Sequence, residues 1–136
     1  MLIDTTVLTK EKKLQVENKV GCSFSIWDSL KLKGIGSTKL NISAYSSGFK
    51  SILEQNNAIN YCNIELRPKG IIIHLNKRAT RYSWIVPYYQ LSLFYSDDFS
   101  FHSNGQFLRI QKDALSRKSR PFINKIIQQK AQVLKS

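Results

Sequence analysis

Cys62-Asn63-Ile64-Glu65-Leu66-Arg67-Pro68-Lys69-Gly70-Ile71-Ile72-Ile73-His74-Leu75 is the stretch whose reading decides the fold of this chain. Proline presets the dihedral of the second residue of a turn and glycine tolerates a positive φ after it, so Arg67-Pro68-Lys69-Gly70 marks a tight reversal. Leu66 then faces Ile71, Ile64 faces Ile73 and Cys62 faces Leu75, which lines six apolar side chains along one face of a hairpin. The other face carries Asn63, Glu65 and His74, interrupted by Ile72.

A second hairpin lies downstream. Asn104-Gly105 is the favoured pair for a two-residue turn in which both residues need φ > 0. In that register Phe101 opposes Leu108 and Phe99 opposes Ile110, while Ser100, His102, Arg109 and Gln111 face water with Phe107 as the exception. Two β-rich runs, Tyr82 to Val86 and Leu91 to Tyr95, stand between the hairpins. Pro87 separates them and cannot donate to a central ladder, so the chain bends or lies at an edge there. After Ser119-Arg120-Pro121, with Ser119 as a cap and Pro121 in the first turn, an amphipathic helix follows. Phe122, Ile123, Ile126, Ile127, Val133 and Leu134 form its stripe, opposite Lys125, Gln128, Gln129 and Gln132. With no second long helix to pair with, that stripe covers the β-structure.

Upstream the pattern is weaker. Val7, Leu8, Leu14, Val16 and Val20 fit neither a helical nor a strand period, and residues 1–20 carry no assignment. Cys22-Ser-Phe-Ser-Ile-Trp27 alternates like a half-buried strand, with Phe24 and Trp27 as core residues. Leu30 to Lys33 and Lys39 to Tyr45 alternate again, with a hairpin across Gly34 to Ser37. Phe49, Ile52 and Leu53, capped by Ser46 or Ser47, give a short helix between Tyr45 and Asn57.

At 136 residues and 42% hydrophobic content the chain is one domain, able to bury a core without staples. It divides into residues 1–20, an N-terminal part over 21–59 with strands and a short helix, and a core over 60–136. Lys and Arg outnumber Asp and Glu by 21 to 9, a net charge of +12. Such a field draws nucleic acid, anionic lipid or an acidic protein without specifying a site, and it also serves solubility alone. Cys22 and Cys62 have neither CxxC spacing nor a nearby His, which removes zinc and redox motifs and points to a reducing compartment. No signal-peptide-like segment and no run of ~18 apolar residues is present, so the expected location is the cytoplasm.

Several antiparallel strands closed by one C-terminal amphipathic helix resemble a pleckstrin-homology-like barrel of the small bacterial kind, over about residues 60 to 134. The likeness rests on three stretches. Ile64 to Leu75 resembles the opening hairpin, Tyr82-Ser-Trp-Ile-Val-Pro87 a strand leading into a short turn, and Phe99 to Ile110 the late hairpin before the helix. The resemblance implies an α+β, mostly antiparallel fold, a barrel or strongly bent sheet closed by the C-terminal helix. It also implies a binding module without catalysis. Lipid-binding members place a basic residue near the end of the first strand and a basic-x-Arg pair on the second. Lys77-Arg78-Ala79-Thr80-Arg81 does not reproduce that pair, so phosphoinositide recognition does not carry over.

Chemistry-bearing residues are sparse. Asp97 and Asp98 read as turn residues, because two neighbouring carboxylates with no third oxygen ligand make a poor metal site. His74 and His102 fall on polar faces with no Cys, Asp or Glu at ligand spacing. No GxSxG, phosphate loop or HExxH is present, and no cofactor or metal is expected. Two basic clusters are the candidate binding surface. Arg67, Lys69, Lys77, Arg78 and Arg81 lie in an acid-free window from Leu66 to Ser96. Arg117, Lys118 and Arg120 belong to the tail after Gln111, which holds half of the net charge. Tyr82, Tyr88 and Tyr89 lie beside the first cluster, where tyrosines stack on bases, sit at headgroups or enter the core. The leading expectation is a non-enzymatic module that presents the basic surface to an acidic protein or an anionic membrane. Nucleic-acid binding and an enzyme of unrecognised type stand as alternatives. A pocket joining His74 or His102 to a carboxylate and a nucleophile is the feature that favours an enzyme. Exposed edge strands permit a homo-oligomer.

Overall fold

The two hairpins form in the registers their turns dictate. A computed structural model describes residues 1–53, 60–95 and 98–135. In it, strands β3 (Asn60–Arg67) and β4 (Gly70–Lys77) pair with Leu66 opposite Ile71, Ile64 opposite Ile73 and Cys62 opposite Leu75. Strands β7 (Phe99–Ser103) and β8 (Gln106–Ile110) pair Phe101 with Leu108 and Phe99 with Ile110. Asn104 at φ 50° and Gly105 at φ 77° supply the two positive dihedrals of that turn. Gly70 is needed for a different reason than the one the sequence suggests. It is not among the residues with positive φ. A Cβ there would lie 2.4 Å from the Val86 carbonyl oxygen and 2.5 Å from Val20 Cγ1.

Strand β5 (Thr80–Pro87) completes a meander with β3 and β4, and β6 (Ser92–Tyr95) completes one with β7 and β8. Pro87 ends β5, and a 3₁₀ turn over Tyr88–Gln90 leads to β6. The meanders are joined by β2 (Leu40–Tyr45), which pairs with β3 on one side and β8 on the other. Its register against β8 shifts between Ile42 and Ala44, a bulge that increases local twist. Strand β1 (Leu2–Asp4) lies along β5, so the antiparallel sheet runs β1-β5-β4-β3-β2-β8-β7-β6. The sheet is open, with β1 and β6 at its edges.

One apolar core draws on both meanders: Ile64, Ile73 and Trp84 share it with Phe99, Phe101 and Ile110. Helix α4 (Arg120–Lys135) covers it with Phe122, Ile123 and Ile126, while Ile127 and Leu134 at the edge of the stripe remain exposed. A short helix α3 (Ala114–Lys118), unforeseen from the sequence, precedes it through a reciprocal cap between Asp113 and Ser116. Ser119 accepts the Ile123 N–H through its carbonyl, and its hydroxyl bonds Thr38 Oγ1 at 2.7 Å.

The N-terminal third departs from its alternation. The unassigned residues contain α1 (Lys10–Val20), capped by Thr9, whose side chain accepts from Lys12 N, and closed by Gly21 at φ 88°. Its Val16 and Val20 pack on Ile72 and Ile85, which accounts for the apolar interruption on the polar face of β4. The expected strand from Cys22 is replaced by α2 (Ile26–Lys31), whose N-cap Ser25 accepts from Asp28 N. Phe24 reaches the core in part, but Trp27 is 77% exposed rather than buried. No hairpin forms across Gly34 to Ser37. Instead Leu66 N donates to Ile35 O and Ser37 N donates to Ile64 O, tying this segment to β3. The helix expected after Tyr45 is a 3₁₀ turn over Ser47–Phe49, with Phe49, Ile52 and Leu53 buried beside it. The remainder of that expectation, from residue 54, lies outside the described residues.

Gly70→Ala forces the Cβ against backbone on one side and Val20 on the other. It is expected to cost about 1–3 kcal/mol, read as a lowered thermal midpoint. An unchanged midpoint would refute the close approach. Cys62 is buried, which pushes its thiol up to about 12, and Cys22 is exposed. A thiol-reactive dye should therefore label Cys22 alone in the native protein and both cysteines after denaturation, read by mass spectrometry.

Candidate functional site

Strand pairing places His74 directly opposite Ser83 and one step diagonally from Glu65 on the face of the sheet that meets α1. The side chains join. Ser83 Oγ lies 3.0 Å from His74 Nδ1, and His74 Nε2 lies 3.1 Å from Glu65 Oε1. Arg67 Nε donates to Glu65 Oε2 at 2.6 Å, and its Nη1 donates to the Gly21 carbonyl at 3.0 Å. Thr5 Oγ1 closes the other end at 2.7 Å from Ser83 Oγ. With an Nε2 proton facing the Glu65 carboxylate and Nδ1 bare, Nδ1 accepts from Ser83 and Ser83 accepts from Thr5.

The polar chain from Thr5 to Gly21 thus ties β1, β5, β4 and β3 to the end of α1. Burial acts to raise the pKa of Glu65, but hydrogen bonds from His74 and Arg67 and the charge of Arg67 outweigh it and hold the carboxyl below its ordinary range. The chain borders a cavity of about 260 Å³ under α1. Ser83, His74 and Glu65 have the composition of an acyl-transfer relay. Ser83 is 1% exposed and shares its hydroxyl with Thr5, so in this arrangement the hydroxyl is held within the network.

His102 lies on the other meander. It is bonded to Ser100 Oγ at 3.0 Å and packed between Phe94 and Phe107, with its pKa lowered first by burial and then by Arg109. Among the described residues no three His, Cys, Asp or Glu side chains converge as a metal site. Asp98 is half-buried, and Asp97 lies outside the described residues.

The basic residues singled out in the sequence are dispersed. Arg67 is drawn into the polar chain, and Arg81 stands at the cavity. Lys77 Nζ donates to Ser51 O at 3.0 Å, and Arg78 occupies the tight turn after β4 at φ 56°. Lys69 is exposed beside Lys19, Tyr89 and Leu134. Arg117 and Arg120 line a depression with Lys112, Phe99 and Ser116, Arg120 lies 5.0 Å from the Tyr95 ring centroid, and Lys118 is exposed on α3. Of the tyrosines, Tyr82 is half-buried. Tyr88 is buried and donates to Arg67 O, and burial raises its pKa, while Tyr89 stands out from the surface.

The surface that sequence reasoning missed is α2. Ile26, Trp27 and Leu30 are 79%, 77% and 65% exposed, and no residue of this helix is buried. The ends of its segment are nevertheless fixed. Gly21 O accepts from Arg67, Ile35 O accepts Leu66 N, and Lys125 Nζ bonds the Lys33 and Gly34 carbonyls at 2.9 and 3.3 Å. The signal was present in Ser25-x-x-Asp28 and the Ile26/Leu30 spacing, but alternation from Cys22 to Trp27 masked it. Comparison with protein-family models, with curated proteins and with solved structures finds no match to this chain.

The lowered carboxyl of Glu65 gives stability that is fully present above the ordinary glutamate range and is lost as pH falls through the depressed folded value. Thermal melts between about pH 6 and about pH 3 should fall less steeply for Glu65→Gln than for the native chain. Parallel curves would show that the carboxylate does not stabilise the fold.

Proposed function

We propose that this chain is a non-enzymatic binding module of the pleckstrin-homology-like type that docks on an anionic membrane surface. The observation that carries the reading is α2, a fixed helix that turns Ile26, Trp27 and Leu30 to solvent. A folded chain has every reason to bury such side chains, at about 1.5–3 kcal/mol each, and here they face outward from a segment tied down at both ends. Tryptophan and aliphatic side chains flanked by lysines suit the headgroup boundary, where the ring enters and the ammonium groups meet anionic lipid. From Lys19 to Lys39 the chain carries Lys19, Lys31, Lys33 and Lys39 against Asp28 alone, and the whole chain carries +12. Among the described residues no helix is long and apolar enough to cross a membrane, so the docking proposed is interfacial. The free thiols fit a reducing, cytoplasmic setting. An acidic protein or a nucleic acid as the partner is the alternative that the same experiment separates.

Co-sedimentation with phosphatidylcholine vesicles, with and without phosphatidylserine at about physiological salt, tests this. Binding is expected to the anionic vesicles only, with a blue shift of tryptophan emission. Trp84 is buried, so that shift reports Trp27. Trp27→Ala should weaken binding by about tenfold or more, and reversal of Lys77, Arg78 and Arg81 to Glu should weaken it less. Failure to pellet with anionic vesicles, or equal pelleting of Trp27→Ala, would overturn the proposal and transfer the basic surface to a protein or nucleic-acid partner.

A further inference from the structure

The cavity under α1 has its own chemistry, distinct from the exposed apolar face of α2. Its floor is Val16, Ile72 and Ile85, a small apolar cluster on the opposite side of the sheet from the main core. One wall is the fixed polar chain through Glu65, Arg67, His74 and Ser83, and Lys13 and Arg81 stand at the cavity as exposed cations. Three cations therefore surround it against one carboxylate. Both oxygens of that carboxylate are already engaged by Arg67 and His74. Among the described residues no carboxylate lies within ion-pair distance of Lys13 or Arg81.

We propose that this cavity binds a small organic carboxylate with an apolar body. The anion meets Lys13 and Arg81, where Arg81 offers the planar donor pair that matches a carboxylate. The aliphatic or aromatic body displaces water from Ile72, Ile85 and Val16. A volume of about 260 Å³ admits a small organic acid. Inorganic phosphate satisfies the cations but leaves the apolar floor wet, so it binds more weakly. The polar chain contributes by rigidity: Glu65 and His74 fix Arg67 and Ser83, so the wall needs no ordering when the ligand arrives.

The test is an NMR titration of the whole chain, following the methyl groups of Ile72, Ile85 and Val16, with octanoate and benzoate as probes. Their neutral counterparts, 1-octanol and benzyl alcohol, and inorganic phosphate serve as comparisons. Saturable shifts at the three methyl groups are expected with at least one carboxylate, and its alcohol should bind at least about tenfold more weakly. Lys13→Glu together with Arg81→Glu changes two exposed side chains, and the dispersion of the spectrum checks that the variant is folded. This variant should lose at least about tenfold in affinity for the same probe. Absence of saturable shifts with both carboxylates, equal binding of the alcohols, or unchanged affinity in the double variant would each overturn the proposal. Shifts confined to Trp27 and Leu30 would also overturn it, by placing the probe on α2. Because the readout uses no lipid, its result is separate from that of the vesicle experiment.

Discussion

The packing of α1 against the β3–β4–β5 meander depends on the close approach at the Arg67–Gly70 turn. Gly70 fits between the Val86 carbonyl and Val20, Lys69 donates its N–H to Val20 O, and Lys69 O accepts from Tyr88 N. Gly21 O accepts from Arg67 Nη1, and Tyr88 donates its hydroxyl to Arg67 O. Four elements therefore meet at one reversal: the end of α1, the hairpin β3–β4, the end of β5 and the 3₁₀ turn after it. A side chain at position 70 would hold these apart, and no rearrangement of flexible groups relieves a contact with backbone.

That junction explains why the β3–β4–β5 meander is covered on both faces. On one side Ile64, Ile73 and Trp84 enter the main core, and on the other Ile72 and Ile85 meet α1. A half-covered sheet would leave His74 and Glu65 in water with little consequence. Beneath a helix they must be satisfied, and the chain from Thr5 through Ser83, His74 and Glu65 to Arg67 does this with donors and acceptors in alternation. The cavity is the space left where a polar wall and an apolar floor share one helix as their cover. The same junction anchors the start of the α2 segment through Gly21, so the outward helix stands on the same support as the pocket.

How far the sequence was readable follows from how local each signal is. Asn104-Gly105 and Arg67-Pro68-Lys69-Gly70 act over four residues, and alternation on either side then leaves one register that buries the apolar set, which is why both hairpins were legible. The stripe of α4 was legible for the same reason, although Ile127 and Leu134 lie beyond the surface it covers. Alternation misled at Cys22 to Trp27, since Ser25 and Asp28 cap a helix there and the caps outweigh a pattern of period two. Helix α1 was missed because it buries only Val16 and Val20, too narrow a face to show as a period.

By itself, then, the sequence determined the two hairpins and their registers, the presence of two β-rich runs between them, the covering helix and the basic charge, because each rests on short-range stereochemistry or on composition. The tertiary structure alone decided that β2 bridges the two meanders, that α1 closes the outer face, and that the sheet stays open. It also brought Glu65, Arg67, His74 and Ser83 together, dispersed the basic residues and turned Trp27 outward. Those outcomes depend on contacts such as Thr5 with Ser83 or Gly21 with Arg67, made by residues far apart in the chain, and no local pattern encodes them.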